Sequence, residues 1–318
     1  MTDFPAAKAV NVGAVTLSVH EAGIPNDKPT IVLVHGWPEL AYSWKNQIGP
    51  LVDAGFHVLA PNLRGFGASD APKDIADYSV RAVTDDLVGL LDAHGLEKAI
   101  FCGHDWGGAI VWPMAVLNPA RVAGVIGVST PHRAPPPIPP LDILARRFTD
   151  RHYMVAFQEP GEAEKRFTGQ EENLFRMLFR KPVPREAWPK LVPGVYDMFA
   201  NLERFEDKGE SNRILSDDDL AVYVEAYKTS GFHGGVNLYR NINANYEMMK
   251  TIDQTVRAPA LWIGAELDLF LPPEGAANME ALVPDLERHV LKDCGHWVTW
   301  EQPDALNALM LDWLQRRY

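Results

Sequence analysis

The sequence predicts an α/β fold: a mostly parallel sheet covered by helices and interrupted once by an inserted helical segment. Three observations carry this. Short apolar runs alternate with helical patterns over the first part of the chain, residues 131–140 (PHRAPPPIPP) hold six prolines, and the alternation resumes only at APALWIGA, residues 258–265. Alternating strand and helix patterns mark parallel sheets, and a dense proline run forbids both helix and central strand.

The elements follow in order. TLSVHEAG (16–23) alternates with period two and runs into the turn chemistry of IPNDKP, so the first strands are expected to form a meander. TIVLVHG (30–36) is a continuous β-branched run, the pattern of a strand buried on both faces. A helix over 42–55 is predicted by Trp44, Ile48, Leu51 and Val52 at helical spacing and ends at Gly55. FHVLAPN (56–62) is the next strand, followed by the glycine-punctuated loop LRGFGASDAP. Val80, Val83, Leu87, Leu90 and Leu91 form the apolar stripe of a helix over 79–95. KAIFCG (98–103) is a strand, GAIVWPMAVLNP (108–119) a helix and VAGVIGVST (122–130) a strand. The proline run then acts as a semi-rigid connector into a helical, aromatic stretch without strand runs. LERHVLKD (286–293) supplies the last strand and PDALNALMLDWLQRRY (303–318) an amphipathic helix, packed on its own core or on a second subunit. The expected organisation is a core of residues 1–133 and 246–318, with residues 134–245 as a helical lid.

Composition narrows the function. A chain of 318 residues, 47% hydrophobic, is long enough for a large core, and 30 basic against 42 acidic side chains give a net charge of -12. That charge argues against nucleic acid and anionic membranes as partners. MTDFPAAKAV lacks the basic and apolar regions of a leader, and no apolar run approaches the ~20 residues that span a bilayer. Two cysteines, Cys102 and Cys294, form neither a disulfide framework nor a metal-ligand pattern. A cytoplasmic protein without metal or cofactor is expected.

Gly103, Asp105 and Gly107, in GHDWGG, stand where a strand runs into a helix. Small flanking residues allow a turn so tight that the middle side chain protrudes. Asp105 can be read as a nucleophile or as a helix N-cap. Asp268 in GAELDLFL and His296 in DCGHW each follow a predicted strand. Active groups in parallel sheets gather at the carboxyl ends of strands, so nucleophile, acid and base can converge from three distant loops.

These residues resemble the α/β-hydrolase fold and, within it, the epoxide hydrolases. The resemblance rests on HGWPE (35–39), YSWKNQ (42–47), RGFGASD (64–70), GHDWGG (103–108), YMVAFQEPGEAE (153–164), GGVNLYRN (234–241) and DCGHW (293–297), in that order. It implies a covalent mechanism. A carboxylate is a poor acyl-transfer nucleophile but displaces a leaving group at saturated carbon, leaving an alkyl ester that water attacks with His296 as base and Asp268 holding the imidazole. The resemblance further implies that the backbone N–H groups of Trp37 and Trp106 face the oxyanion, each on the order of 3 kcal/mol, and that Tyr153 and Tyr239 protonate the departing epoxide oxygen. Packing of lid against core is the other use of such tyrosines. Glu39 and His104 match positions that orient water in some relatives; as a carboxylate and a strand-end histidine they can equally be structural. The implied partner is a small-molecule epoxide.

Two other functions are compatible with parts of the pattern. Haloalkane dehalogenases share the Asp-Trp elbow but hold a halide with a second donor; here Trp37 replaces the usual Asn after His35-Gly36, and Trp188 is the lid candidate. A scaffold that only binds an apolar ligand would usually lack a triad member, and all three are present. The accepted epoxide, its stereochemistry and the oligomeric state (monomer or homodimer) do not follow from the chain.

Overall fold

The structure is a computed structural model that describes residues 4–148, 151–207 and 209–318; the first three residues of the stretch inspected for a leader lie outside it. Among the described residues the strands are β1 (Ala7–Asn11), β2 (Thr16–Ala22), β3 (Ile31–Val34), β4 (Val58–Pro61), β5 (Ala99–His104), β6 (Val122–Val128), β7 (Ala260–Ala265) and β8 (Leu286–Leu291). They form one sheet in the order β1-β2-β4-β3-β5-β6-β7-β8. The pairings from β4 through β8 are parallel, and β1 and β2 join antiparallel at one edge.

The expected meander is only partly realised. β1 and β2 form a hairpin, but β2 pairs with β4, so the IPNDKP turn leads into β3 without making a second hairpin. The reason is non-local: β4 lies between β2 and β3 and bonds to both.

Helices α1 (Lys45–Asp53), α2 (Val80–Ala93) and α3 (Trp106–Leu117) precede the break after β6. Between β6 and β7, which are neighbours in the sheet, come α4 (Pro140–Phe148), α5 (Tyr153–Ala156), α6 (Glu162–Phe167), α7 (Glu171–Leu178), α8 (Trp188–Val195), α9 (Met198–Glu203), α10 (Asp217–Ser230), α11 (His233–Arg240) and α12 (Ile242–Met249). An isolated bridge between Arg180 and Arg213 is the strand-like pairing described there. After β8 follow α13 (Val298–Glu301) and α14 (Pro303–Arg317).

The central strands are apolar on both faces, as two-sided helical cover requires. On β3, Val32 and Val34 pack towards α2 and α3, while Ile31 and Leu33 pack towards α1 and α14. The last helix therefore covers its own core, with Leu306, Met310 and Trp313 fully buried. No described helix is long and apolar enough to cross a membrane. This arrangement directs the loops after β3, β5, β7 and β8 to one edge of the sheet, beneath the helices inserted between β6 and β7.

Candidate active site

Asp105 follows β5 directly, with φ 52° and ψ -118°. A non-glycine residue held there stores on the order of 1–3 kcal/mol of strain, which the surroundings must impose. The close packing is visible at the glycines: a Cβ on Gly103 would run into the Gly107 carbonyl, and one on Gly107 into the Val34 carbonyl. Thr130 adds a strut, its hydroxyl donating to the Asp105 carbonyl at 2.6 Å. Asp105 occupies the N-cap position of α3, but its carboxylate makes no capping bond. Instead Oδ1 accepts the Trp37 N–H at 2.8 Å. The side chain is thus turned away from the helix and towards the loop after β3, contrary to the capping reading. No hydrogen bond from the Trp106 N–H to this carboxylate occurs among the described residues.

His296 arrives from the loop after β8. Its Nδ1 lies 2.9 Å from Asp268 Oδ2, and its Nε2 lies 3.6 Å from Asp105 Oδ2. Asp268, fully buried after β7, has its other oxygen occupied by the N–H groups of Phe270 and Leu271, each at 2.9 Å. Burial opposes the ionised form of Asp268, but His296 and the Leu271 N–H outweigh it and hold the pKa below the usual range. Burial also opposes the charged imidazole of His296, yet Asp268 and then Asp105 raise its pKa to about 9. For Asp105 burial dominates, and the pKa is raised despite His296, His104 and the Trp37 N–H.

Glu39 and His104 form a second buried pair behind this group. Glu39 Oε2 accepts the Gly36 N–H at 2.9 Å and faces His104 Nδ1 at 2.8 Å, while His104 Nε2 lies 2.7 Å from the His296 carbonyl. A carbonyl only accepts, so Nε2 carries a proton and donates it. Burial works against both charges, but the pairing raises the pKa of His104 and lowers that of Glu39. Both side chains therefore support the loops that carry Trp37 and His296.

Tyr153 heads α5 and Tyr239 lies on α11. Both rings are buried and meet edge to face with centroids 5.5 Å apart; Tyr239 also packs on Trp106 at 4.9 Å and Trp37 at 5.4 Å. Their hydroxyls are hydrogen-bond partners of each other, and the Trp106 side chain is a second partner for that of Tyr239. Tyr42 donates to Asp219, and Tyr78, Tyr196, Tyr227 and Tyr318 donate to backbone carbonyls. Neither Tyr153 nor Tyr239 spends its hydroxyl on a carbonyl or carboxylate among the described residues. Burial, followed for Tyr153 by the Asp105 charge and for Tyr239 by its tyrosine neighbour and Asp105, keeps both phenols protonated well above their ordinary range.

A cavity joins these groups. Asp105, His296, Tyr153, Tyr239 and Trp37 line it together with Phe270, and a wider apolar opening continues from Phe270 and His296 past Leu178 and Met198. Trp188 lines neither space; its indole donates to the Val183 carbonyl at 3.3 Å. The second halide donor that a dehalogenase would need is therefore not supplied by Trp188. Cys102 and Cys294 are buried with pKa values pushed up by burial, which leaves them as protonated packing groups. No cluster of three or more His, Cys, Asp or Glu among the described residues could hold a metal ion.

Two supports were not legible in the sequence. His152 is sandwiched between Tyr153 and Tyr196, with ring planes 20° and 19° apart, and Tyr227 donates to the Glu39 carbonyl at 3.3 Å. Position next to Tyr153 was the available signal for the first; the second spans 188 residues and left none.

The sheet order and the strand-end site are those of an α/β hydrolase, and the alpha/beta hydrolase fold family matches residues 29–303. Epoxide hydrolase A of Mycobacterium tuberculosis is 36% identical over 98% of this chain and 97% of its own. Bifunctional epoxide hydrolase 2 of Sus scrofa is 37% identical over 90% of this chain, which spans 51% of that longer protein. The crystal structure of epoxide hydrolase A from Mycobacterium thermoresistibile superposes with a TM-score of 0.89, at 36% identity and 98% coverage of both chains. The chain belongs to the α/β-hydrolase fold family and, within it, to the epoxide hydrolases.

Proposed function

We propose that this chain converts a small-molecule epoxide and water into a vicinal diol in two steps on Asp105, with residues 134–245 roofing the site as a lid. The single observation that carries the reading is the meeting, across one cavity, of a carboxylate held by a backbone N–H with two phenols whose hydroxyls pair with each other rather than with a carbonyl or carboxylate.

In the first step Asp105 Oδ2, the oxygen not engaged by Trp37, attacks a ring carbon in line. A carbon–oxygen bond to the enzyme forms, the ring carbon–oxygen bond breaks, and the departing alkoxide takes a proton from Tyr153 or Tyr239. Alkoxides are several units more basic than a phenol, so this transfer runs downhill even from a buried tyrosine. Forming the ester also removes the Asp105 charge. That charge is one of the causes holding up the phenol and imidazole pKa values, so alkylation makes the tyrosines better donors and frees His296 to become a base.

In the second step neutral His296 removes a proton from water, which attacks the ester carbon. The resulting oxyanion, on Oδ1, keeps the Trp37 N–H, and the Trp106 N–H at the first turn of α3, an orphan donor of the helix, serves as its second partner. Asp268 stabilises the imidazolium. The intermediate collapses to diol and free carboxylate, and the proton on His296 returns through solvent to the tyrosinate. Glu39 and His104 act by holding the two loops between which the water must stand.

A single turnover with excess enzyme in oxygen-18 water tests this reading. The diol should emerge unlabelled, its new oxygen coming from Asp105; labelled diol would mean direct attack by water and would overturn it.

A further inference from the structure

Glu301 ends α13 beyond His296, and no step above uses it. Its carboxylate accepts the Gly295 N–H on Oε2 at 2.8 Å and the Trp297 N–H on Oε1 at 2.9 Å, the two peptide donors that flank His296. The fit is close: a Cβ on Gly295 would lie 2.9 Å from Oε1 and 2.8 Å from the Pro182 side chain. The His296 carbonyl receives His104 Nε2 at 2.7 Å and the Val298 N–H at 3.0 Å. No cationic side chain forms a salt bridge with Glu301 among the described residues. Its charge is therefore committed to the backbone that presents the imidazole.

Residues 292–297, which carry His296, form neither helix nor strand. Without Glu301, the two N–H groups that flank the imidazole lose their acceptor, and the loop is left with ties further from it, the Leu267 N–H to the Cys294 carbonyl and the Trp297 indole to the Leu178 carbonyl, each at 2.8 Å, beside the Asp268 and His104 contacts of His296 itself. Asp105 is held independently, by the elbow and by Trp37.

We infer that Glu301 is a positioning residue for His296, setting the rate at which the alkyl-enzyme ester is hydrolysed while leaving ester formation untouched. The inference rests on the two-step reading given above.

The test uses the full chain and styrene oxide as probe, with rapid acid quench and intact mass measurement of the ester. For Glu301→Gln, which keeps the shape but turns a donor towards one of the two N–H groups, ester formation should stay within about twofold of the parent. Ester hydrolysis should slow by about tenfold or more, so that ester accumulates and kcat and KM fall together. Gly295→Ala keeps the carboxylate and displaces it, and should give the same pattern more weakly; it decides the matter if Glu301→Gln fails to fold. Hydrolysis unchanged in the folded variant, or both steps slowed alike, would overturn the inference. His296→Gln is the reference: if it accumulates no ester, the two-step reading itself falls and takes the role of Glu301 with it, whereas ester in His296→Gln but not in Glu301→Gln overturns the positioning role alone.

Discussion

Along the carboxyl ends of the sheet, Asp105 and Asp268 accept backbone N–H groups and Asp268 bonds to His296, whereas Tyr153 and Tyr239, across the cavity, are held by ring packing with their hydroxyls turned to each other and to the Trp106 side chain. The difference follows from what each group must do. A buried carboxylate or imidazole is costly unless charge partners and donors surround it, and those same partners tune its pKa. In the proposed mechanism a phenol gives up its proton, and van der Waals contact can orient its ring without tying the hydroxyl to a carbonyl or carboxylate. One side of the cavity is thus rigid through polarity, the other through shape.

The most severe way to break this division is Asp105→Ala, expected to lower epoxide turnover by about 10⁴-fold or more in a protein with unchanged far-ultraviolet circular dichroism. Next comes the pair Tyr153→Phe with Tyr239→Phe. The rings remain, so the melting temperature should hold, while ring opening slows by about 10²- to 10⁴-fold. Tyr227→Phe, which loses a bond to the Glu39 carbonyl, should cost far less activity than either. If it matched the double variant, a place on the wall of the Asp105 cavity would not be what distinguishes Tyr153 and Tyr239.

Removing shape and keeping polarity sharpens the other side. Phe157 is fully buried and meets Trp37, Tyr153 and Tyr239 edge to face with centroids 5.5, 5.5 and 5.3 Å away. Phe157→Ala should destabilise the protein by about 3–5 kcal/mol in urea unfolding. The smallest effect is a pH dependence. The folded pKa of His296, about 9, lies above its unfolded value, so its stabilising contribution is complete below about pH 6.5 and is lost as pH rises through about 9. Asp105→Ala removes one of the anions that raise this pKa, so the loss should be smaller and complete at lower pH. Unfolding midpoints compared at about pH 6, 8 and 10 would measure it.

The polar side of the site was readable in advance because each member stands just after an apolar run, and strand ends in a parallel sheet must converge. The tyrosines were not readable from pattern: a helical aromatic segment offers many rings, and Tyr153 and Tyr239 stood out only through resemblance of their surrounding motifs. What makes them different from Tyr223 or Tyr227, a place on the wall of the Asp105 cavity, is a property of three-dimensional neighbours. The pairing of β2 with β4 was hidden for the same reason, since local turn chemistry at IPNDKP says nothing about a strand that arrives some thirty residues later and inserts between. β1 gave a weak signal because AKAVN, an exposed edge, lacks the buried alternation that marks a strand. Glu301 gave none, as a single glutamate at a helix end is ordinary surface chemistry until its two donors are seen.

Strand order has a geometric corollary. Trp37 and Asp105 ride on the adjacent strands β3 and β5, whereas Asp268 and His296 ride on β7 and β8, with β6 between the two pairs. The 2.8 Å bond from Trp37 to Asp105 therefore lies within one pair of neighbouring strands, whereas the 3.6 Å interval between imidazole and carboxylate crosses the β6–β7 seam. The carboxylate thus has its backbone donor on the next strand, while the imidazole reaches that carboxylate from three strands away.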